Sequence, residues 1–278
     1  AGDDAELGAG DENDSIMEHM KLPELIIFDW AGTLVDFGCC APLAAFCRAF
    51  ENAGLPISDE TARGPMGSHK RDHVREILHY PEVAERVRRQ LGREPDEALV
   101  QVIYDDFAAL LPAELPVYGA AIPGVVEAMD WLREHGVRIG STTGYTRAMM
   151  DVLEPVARAS GVVPEVIVCA DEVSQGRPAP WACFRIAERL GVYPMAGTIK
   201  VGDTPADMKE GRNAGMMCIG LSECGNEVGL GREALDALSA EERQGRIWRA
   251  EQRLLESGAD VVLKSVAELP AWLEARGA

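Results

Sequence analysis

The sequence predicts an α/β fold: a Rossmann-like parallel-sheet core domain with an all-helical cap domain inserted after its first strand. Three observations carry that prediction. Leu25 to Asp29 is a short apolar run that ends in one carboxylate and meets turn residues, the pattern of a strand buried on both faces. From Tyr118 onward, apolar strand patterns alternate with helical ones, the signature of βαβ units and a parallel sheet. Between these two regions, residues 37–116 carry helical periodicity and no strand pattern. The expected division is an acidic arm at 1–20, a core domain formed by 21–36 and 117–278, and the cap at 37–116.

The elements follow in order. Gly32 lets the chain turn sharply after the first strand. Pro42 to Ala53 sets Leu43, Phe46 and Phe50 on one helical face, and Gly54 stands just beyond its end. Thr61 to Gly67, with Arg, Gly, Pro and Gly, predicts a loop or helix break. Further cap helices are expected near 68–78, 82–91 and 95–111. In the core, a helix at 123–135 opens on Pro123 and is followed by Gly136, and Val137–Ser141 reads as a strand. Next come a helix at 146–160, a strand at Val166–Val168, a helix at 180–190 ended by Gly191, and a strand at Thr198–Val201 that runs into Gly202-Asp203. A helix at 205–214, a strand at Met217–Gly220, a long charged helix at 239–257, a strand at Asp260–Leu263 and a last helix from Val266 complete the chain.

A chain of 278 residues with 47% hydrophobic content buries one large core or one core with an insertion. Residues 1–20 hold seven Asp and Glu and no Lys or Arg, so this arm is expected to be solvated and mobile. No apolar run is long enough to span a membrane, and no apolar signal segment precedes a cleavage site. Seven scattered cysteines without a CxxC pair suit free thiols in a reducing cytoplasm better than a disulfide framework. The formal charge of −19 argues against nucleic acid and anionic membrane as partners. An anionic substrate would need a local cationic site working against that field.

Four strand ends carry polar residues: Asp29, then Ser141-Thr142-Thr143-Gly144, then the loop from Ala170 to Arg177, then Asp203. In an open parallel sheet these ends converge on one edge, where ligand chemistry is found. Asp29 and Asp203 offer two carboxylates to a hard cation, and Mg²⁺ takes one or two such oxygens together with substrate oxygens. Thr143 and the Gly144 amide can hold an anionic oxygen, and Arg177 can pair with it through two parallel hydrogen bonds. Singly, each residue is an ordinary helix cap, turn residue or surface ion pair. In this order on successive strands they point to one site.

The order Asp29-Trp30-Ala31-Gly32-Thr33, Ser141-Thr142-Thr143-Gly144, Arg177 and Gly202-Asp203-Thr204 followed by Asp207 resembles the haloacid dehalogenase superfamily, whose members are mostly Mg²⁺-dependent phosphotransferases with an aspartate nucleophile. The usual second Asp of the first motif, which protonates the leaving group, is Ala31 here. In the cap, Gly64-Pro65-Met66-Gly67-Ser68-His69-Lys70-Arg71-Asp72-His73 places Lys70 four residues after Met66 and three before His73. With Val35-Asp36-Phe37-Gly38-Cys39, Gly140 to Arg147, Gly176-Arg177-Pro178 and Met208 to Met216, the chain over about residues 22–275 resembles the phosphonoacetaldehyde hydrolase family, the phosphonatases.

That resemblance implies hydrolysis of a P–C bond beside an aldehyde. It implies Asp29 as nucleophile, Lys70 as the Schiff-base lysine, and Asp29, the Ala31 carbonyl oxygen and Asp203 as Mg²⁺ ligands, with Asp207 as a supporting carboxylate. Thr143, Gly144 and Arg177 are the expected phosphonate-binding groups, and His73 a proton relay for Lys70. Met66, Cys39 and Tyr145 are expected near the substrate. His69 and Arg71 flank Lys70 with polar groups where an apolar neighbour is expected; they either lower the lysine pKa or face solvent. The resemblance also implies a homodimer paired through the cap helices. Two further readings stay open on the sequence: a Mg²⁺-dependent phosphatase acting on a phosphate ester, for which Lys70 is irrelevant, and a non-catalytic binding module, which would have lost the nucleophile or metal ligands. A dehalogenase would not need Asp203.

Overall fold

The computed structural model describes residues 22–277, so the acidic arm expected at 1–20 lies outside the described residues. Six parallel strands form one sheet in the order β3-β2-β1-β4-β5-β6: β1 Leu25–Phe28, β2 Arg138–Thr142, β3 Val166–Val168, β4 Thr198–Gly202, β5 Met217–Leu221 and β6 Val261–Leu263. The order reverses between β1 and β4, which pair in register from Leu25 with Thr198 to Phe28 with Val201. This reversal opens the crevice in which such sheets bind ligands.

The alternation along β1 shows why the strand is apolar throughout. Ile26 and Phe28 enter one core cluster, while Leu25 and Ile27 enter the cluster on the opposite face. The first cluster continues without a break into the inserted helices through Leu34, Phe46, Ile77 and Phe107.

The insertion comprises α1 Ala41–Asn52, α2 Asp59–Arg63, α3 Lys70–His79, α4 Pro81–Leu91 and α5 Glu97–Glu114, followed by a single 3₁₀ turn at Leu115–Val117. The core helices are α6 Val125–Glu134, α7 Arg147–Ala159, α8 Trp181–Leu190, α9 Pro205–Asn213, α10 Arg232–Asp236, α11 Ala240–Glu256 and α12 Leu269–Gly277. Among the described residues, no helix is long and apolar enough to cross a membrane. The expected loop from Thr61 is corrected: the chain is helical from Asp59 to Arg63, because Ser58 accepts the Thr61 amide and acids fill the first turn. Helix α5 runs on through Pro112, beyond the end expected near Leu111. The short α10 was not expected at all.

The two strands of chain that join cap and core run side by side. The Asp36 amide donates to the Tyr118 carbonyl, the Ile122 amide to the Leu34 carbonyl, and Val35 bridges Ala121. Three of four consecutive residues here are left-handed: Asp36 (φ 57°), Gly38 (φ 86°) and Cys39 (φ 51°). For Asp36 and Cys39 this conformation is strained, and surrounding contacts must hold it. The Asp36 carboxylate supplies one such contact by accepting the Cys40 and Ala41 amides at 2.8 and 3.0 Å, which caps α1.

Burial nevertheless pushes the Asp36 carboxyl from 3.8 up to about 6. The native state therefore binds the extra proton between roughly pH 4 and 6, and stability falls as pH rises through that window. We expect stability relative to Asp36→Asn, which keeps one acceptor, to drop by up to about 3 kcal/mol from pH 4 to pH 7. Urea unfolding of both proteins across that range checks this.

Candidate active site

Each expected strand end delivers its residue to the switch-point crevice. Asp29 directly follows β1, Thr143 follows β2, Arg177 sits in the loop after β3, and Asp203 follows β4. Asp207 lies one turn into α9, whose first residue is Pro205 and whose cap is Thr204. Asp29, Asp203 and Asp207 are buried, with one oxygen of each within 4.8 Å of the others.

Asp203 is boxed in on all sides. A Cβ on Gly32 would lie 2.2 Å from its Oδ2, and one on Gly225 would lie 2.4 Å from its Cβ. Its Oδ2 accepts the Asn226 amide at 2.7 Å, and its Oδ1 accepts the Thr33 hydroxyl at 3.3 Å. Gly32 occurs at this turn because both its φ of 80° and the approach of Asp203 exclude a side chain.

Arg177 organises the carboxylates. Its Nη2 lies 2.7 Å from Asp29 Oδ1, its Nη1 2.9 Å from Asp207 Oδ1 and its Nε 2.9 Å from Glu210 Oε2. Nη2 also donates to the Thr142 hydroxyl and Nη1 to the Gly67 carbonyl of the cap. In this arrangement the guanidinium is occupied by protein groups and aligns Asp29. Beneath it, fully buried Lys200 reaches Asp207, Glu210 and Thr142 at 3.0, 3.1 and 2.8 Å.

The sequence reading missed Lys200, Glu210, Thr142 and Asn226 as members of this network. A signal was present for one of them: Lys200 interrupts an apolar run in a central strand, and a buried charge there needs partners.

The donor set fits a divalent cation. Two buried cations, Arg177 and Lys200, face four buried carboxylates, Asp29, Asp203, Asp207 and Glu210. Burial and then the charges of Asp29 and Asp207 push the Asp203 carboxyl well above its usual range, so its ionised form needs further positive charge. Asp207 Oδ1 makes no well-formed hydrogen bond despite its close cations. Buried all-oxygen ligands of this kind suit Mg²⁺.

The cap closes over this edge. Its Gly67 has no room for a side chain, since a Cβ there would lie 2.3 Å from Thr204 Oγ1, and a Cβ on Gly144 would lie 2.5 Å from the Ser68 carbonyl oxygen. The small cavity between them is lined by Asp29, Ala31, Cys39, Met66, Lys70 and Tyr145, together with Gly67, Thr143, Gly144 and Thr204. Its free space is about 10 Å³, enough for roughly one water. Larger clefts of about 530 and 700 Å³ lie on other surfaces and hold none of these groups.

Lys70 is the first residue of α3 and is 4% exposed. Its Nζ lies 3.9 Å from Met66 Sδ, 5.0 Å from the Tyr145 ring centroid and 5.8 Å from that of Phe46. Burial lowers its pKa, with help from Arg177 and against Cys39, Asp29 and Asp203. A position at a helix N-terminus also disfavours its charge.

His73, one turn on, stacks on Phe46 at 3.9 Å, and its Nε2 lies 2.8 Å from the Ala62 carbonyl oxygen. Because a carbonyl only accepts, Nε2 carries the proton. The unpartnered Nδ1 is then the basic nitrogen. Burial, then the charge of Lys70, pushes its pKa well below the ordinary value, so the ring is neutral. His69 and Arg71 take structural positions. His69 Nδ1 caps α3 by accepting the Arg71 amide, and the Arg71 guanidinium meets Glu97 at 3.3 Å.

A profile of haloacid dehalogenase-like hydrolases matches residues 23–215. A phosphonoacetaldehyde hydrolase of Bacillus cytotoxicus is 46% identical over 255 residues, which cover 92% of this chain and 96% of that protein. One from Bacillus cereus is 45% identical with the same coverage. Among solved structures, a phosphonoacetaldehyde hydrolase-like protein from Oleispira antarctica superposes with a TM-score of 0.90 at 37% identity, covering 93% of this chain and 94% of that one. A predicted phosphoglycolate phosphatase from Haemophilus somnus, at 18% identity and TM-score 0.67, shares the fold.

Proposed function

The chain belongs to the haloacid dehalogenase-like hydrolases, in their phosphonoacetaldehyde hydrolase branch, and on that premise we propose that it cleaves the C–P bond of phosphonoacetaldehyde to give acetaldehyde and phosphate. One observation carries the reading: a buried lysine with a lowered pKa and a buried aspartate line the same small cavity.

Breaking a C–P bond leaves an electron pair on carbon, a very poor leaving group. A side chain acid beside the nucleophile could not help, and Ala31 has no proton to give. The neutral Lys70 amine instead adds to the aldehyde carbon and expels water, forming an iminium. Met66 and the surrounding rings keep that amine dry, and His73 relays its protons through Nδ1, which has no partner here and must come within reach of Nζ. An Asp29 carboxylate oxygen then attacks phosphorus. The P–C electrons move into the iminium and give an enamine, while Asp29 becomes an aspartyl-phosphate. Protonation of the enamine carbon and hydrolysis of the resulting iminium release acetaldehyde and regenerate the amine. A second water hydrolyses the acyl phosphate.

Arg177 aligns the Asp29 oxygen, and the Thr143 hydroxyl and Gly144 amide bind the phosphonate oxygens. Asp29, the Ala31 carbonyl and Asp203, with Asp207 in support, would hold Mg²⁺, which when bound offsets repulsion between the anionic nucleophile and the phosphonate. Cys39 and Tyr145 shape the wall of the cavity.

The test is reductive trapping. Borohydride added with phosphonoacetaldehyde should inactivate the enzyme irreversibly and place a two-carbon label on Lys70, read by peptide mass spectrometry. Hydrolysis of phosphate esters at an undiminished rate by Lys70→Ala, with no trapped adduct, would replace this reading by that of an ordinary phosphatase.

A further inference from the structure

The metal edge of the site is tied to the cap by residues outside the catalytic set. Arg63, the last residue of α2, sends its Nη1 to three acceptors: the Gly38 carbonyl at 2.9 Å, the Cys39 carbonyl at 3.3 Å and Asn226 Oδ1 at 3.0 Å. The first two belong to the left-handed segment that joins cap to core. The third belongs to the loop after β5. Asn226 answers with its own Nδ2, which donates to the Arg63 carbonyl at 3.3 Å.

Asn226 is 4% exposed, and its backbone amide is the 2.7 Å donor to Asp203 Oδ2. Gly229 leaves space for the guanidinium: a Cβ there would lie 2.8 Å from Arg63 Nε. A single cap side chain therefore clamps together the connecting segment and the loop whose amide fixes a metal-edge carboxylate. Groups that orient a ligand in this way influence metal affinity strongly.

We propose that Arg63 is a positioning residue for the metal site: through Asn226 it fixes the amide that orients Asp203, so that seating of the cap and readiness of Asp203 for the cation are coupled. The coupling runs both ways, because a ligand that favours one arrangement must be favoured by it. Cation binding thus promotes cap closure, and a displaced cap loosens Asp203. This inference rests on the reading of Asp203 as a metal ligand given above.

The test measures Mn²⁺ binding by electron paramagnetic resonance, without substrate, on the full chain. Arg63→Ala and Asn226→Ala are each expected to weaken Mn²⁺ binding roughly 10-fold. The double variant should be no weaker than either single one, because both act through one linkage. Arg249→Ala, an exposed arginine lining the same outer cleft, should bind as wild type. Should Arg63→Ala fail to fold, Arg63→Lys, which loses the fork but keeps the charge, is the variant read.

A purely structural role lowers thermal stability and leaves Mn²⁺ affinity unchanged; that result, or additive losses in the double variant, overturns the proposal. Absence of a Mn²⁺ site in the wild-type protein overturns the metal reading and this proposal with it. Failure to turn over phosphonoacetaldehyde while the Mn²⁺ pattern holds overturns only the substrate.

Discussion

Lys70→Ala is expected to lower turnover of phosphonoacetaldehyde by roughly 10⁴- to 10⁶-fold, the scale on which removal of a covalent catalytic group acts. On the proposed mechanism the electrons of the C–P bond then have nowhere to go, and position 31, an alanine, offers no acid in place of the amine. Lys70→Arg should fare no better, since a guanidinium stays protonated and cannot condense with an aldehyde. Asp29→Asn is expected to be just as inactive but should still form the imine, so borohydride should label Lys70 in that variant. Steady-state rates and mass spectra on the three variants check the division of labour between cap and core. An Asp29→Asn protein that cannot be labelled would mean that the two residues do not act in sequence.

The second large effect is on stability. Arg177 is 8% exposed as a residue and contacts three carboxylates. Arg177→Met removes the charge, which leaves Asp29 without an ion-pair partner and Asp207 and Glu210 with Lys200 alone. Breaking a buried pair in this way costs about 3–5 kcal/mol. Much of that cost is expected to return when Glu210→Gln is added, because the second change removes an uncompensated charge. Urea unfolding of the two variants without added metal measures both steps. An Arg177→Met protein as stable as wild type would show that the carboxylates are not ionised together in the native state. In that case Arg177 would not be what keeps Asp29 ready to attack.

What the sequence told, and what it withheld, divides along a physical line. Asp29, Thr143 and Asp203 were legible because each directly follows a strand, and parallel strands bring such ends to one edge. Lys70 and His73 stand three residues apart on α3, but the roles of Lys70, Met66 and His73 were legible only through the cap motif's resemblance to a known family, and Met66 precedes the helix. The partners of Arg177 were not. A lone arginine in a loop reads as a ligand-binding group, and only the fold reveals that Glu210 and Asp207 reach it by way of α9. Lys200 was passed over because strand assignment averages across one charged residue in an apolar run. Helix α2 was hidden by the Gly and Pro that follow it, although Ser58 with Asp59 and Glu60 held a start signal. The strap from Arg63 could not be foreseen at all, since it joins residues 163 positions apart.

The small volume of the cavity has a consequence for every measured affinity. Space for a single water admits neither the aldehyde nor the phosphate, so the groups around it must draw apart before either can bind. On the proposed function, substrate is held only in excursions that part the helical lid from the sheet edge. Apparent dissociation constants must then carry the fraction of time the doorway is ajar, besides the strength of the contacts within. Slower tumbling of the solvent should slow that swing, so added viscogen is the simplest way to learn whether the doorway or the chemistry sets the pace.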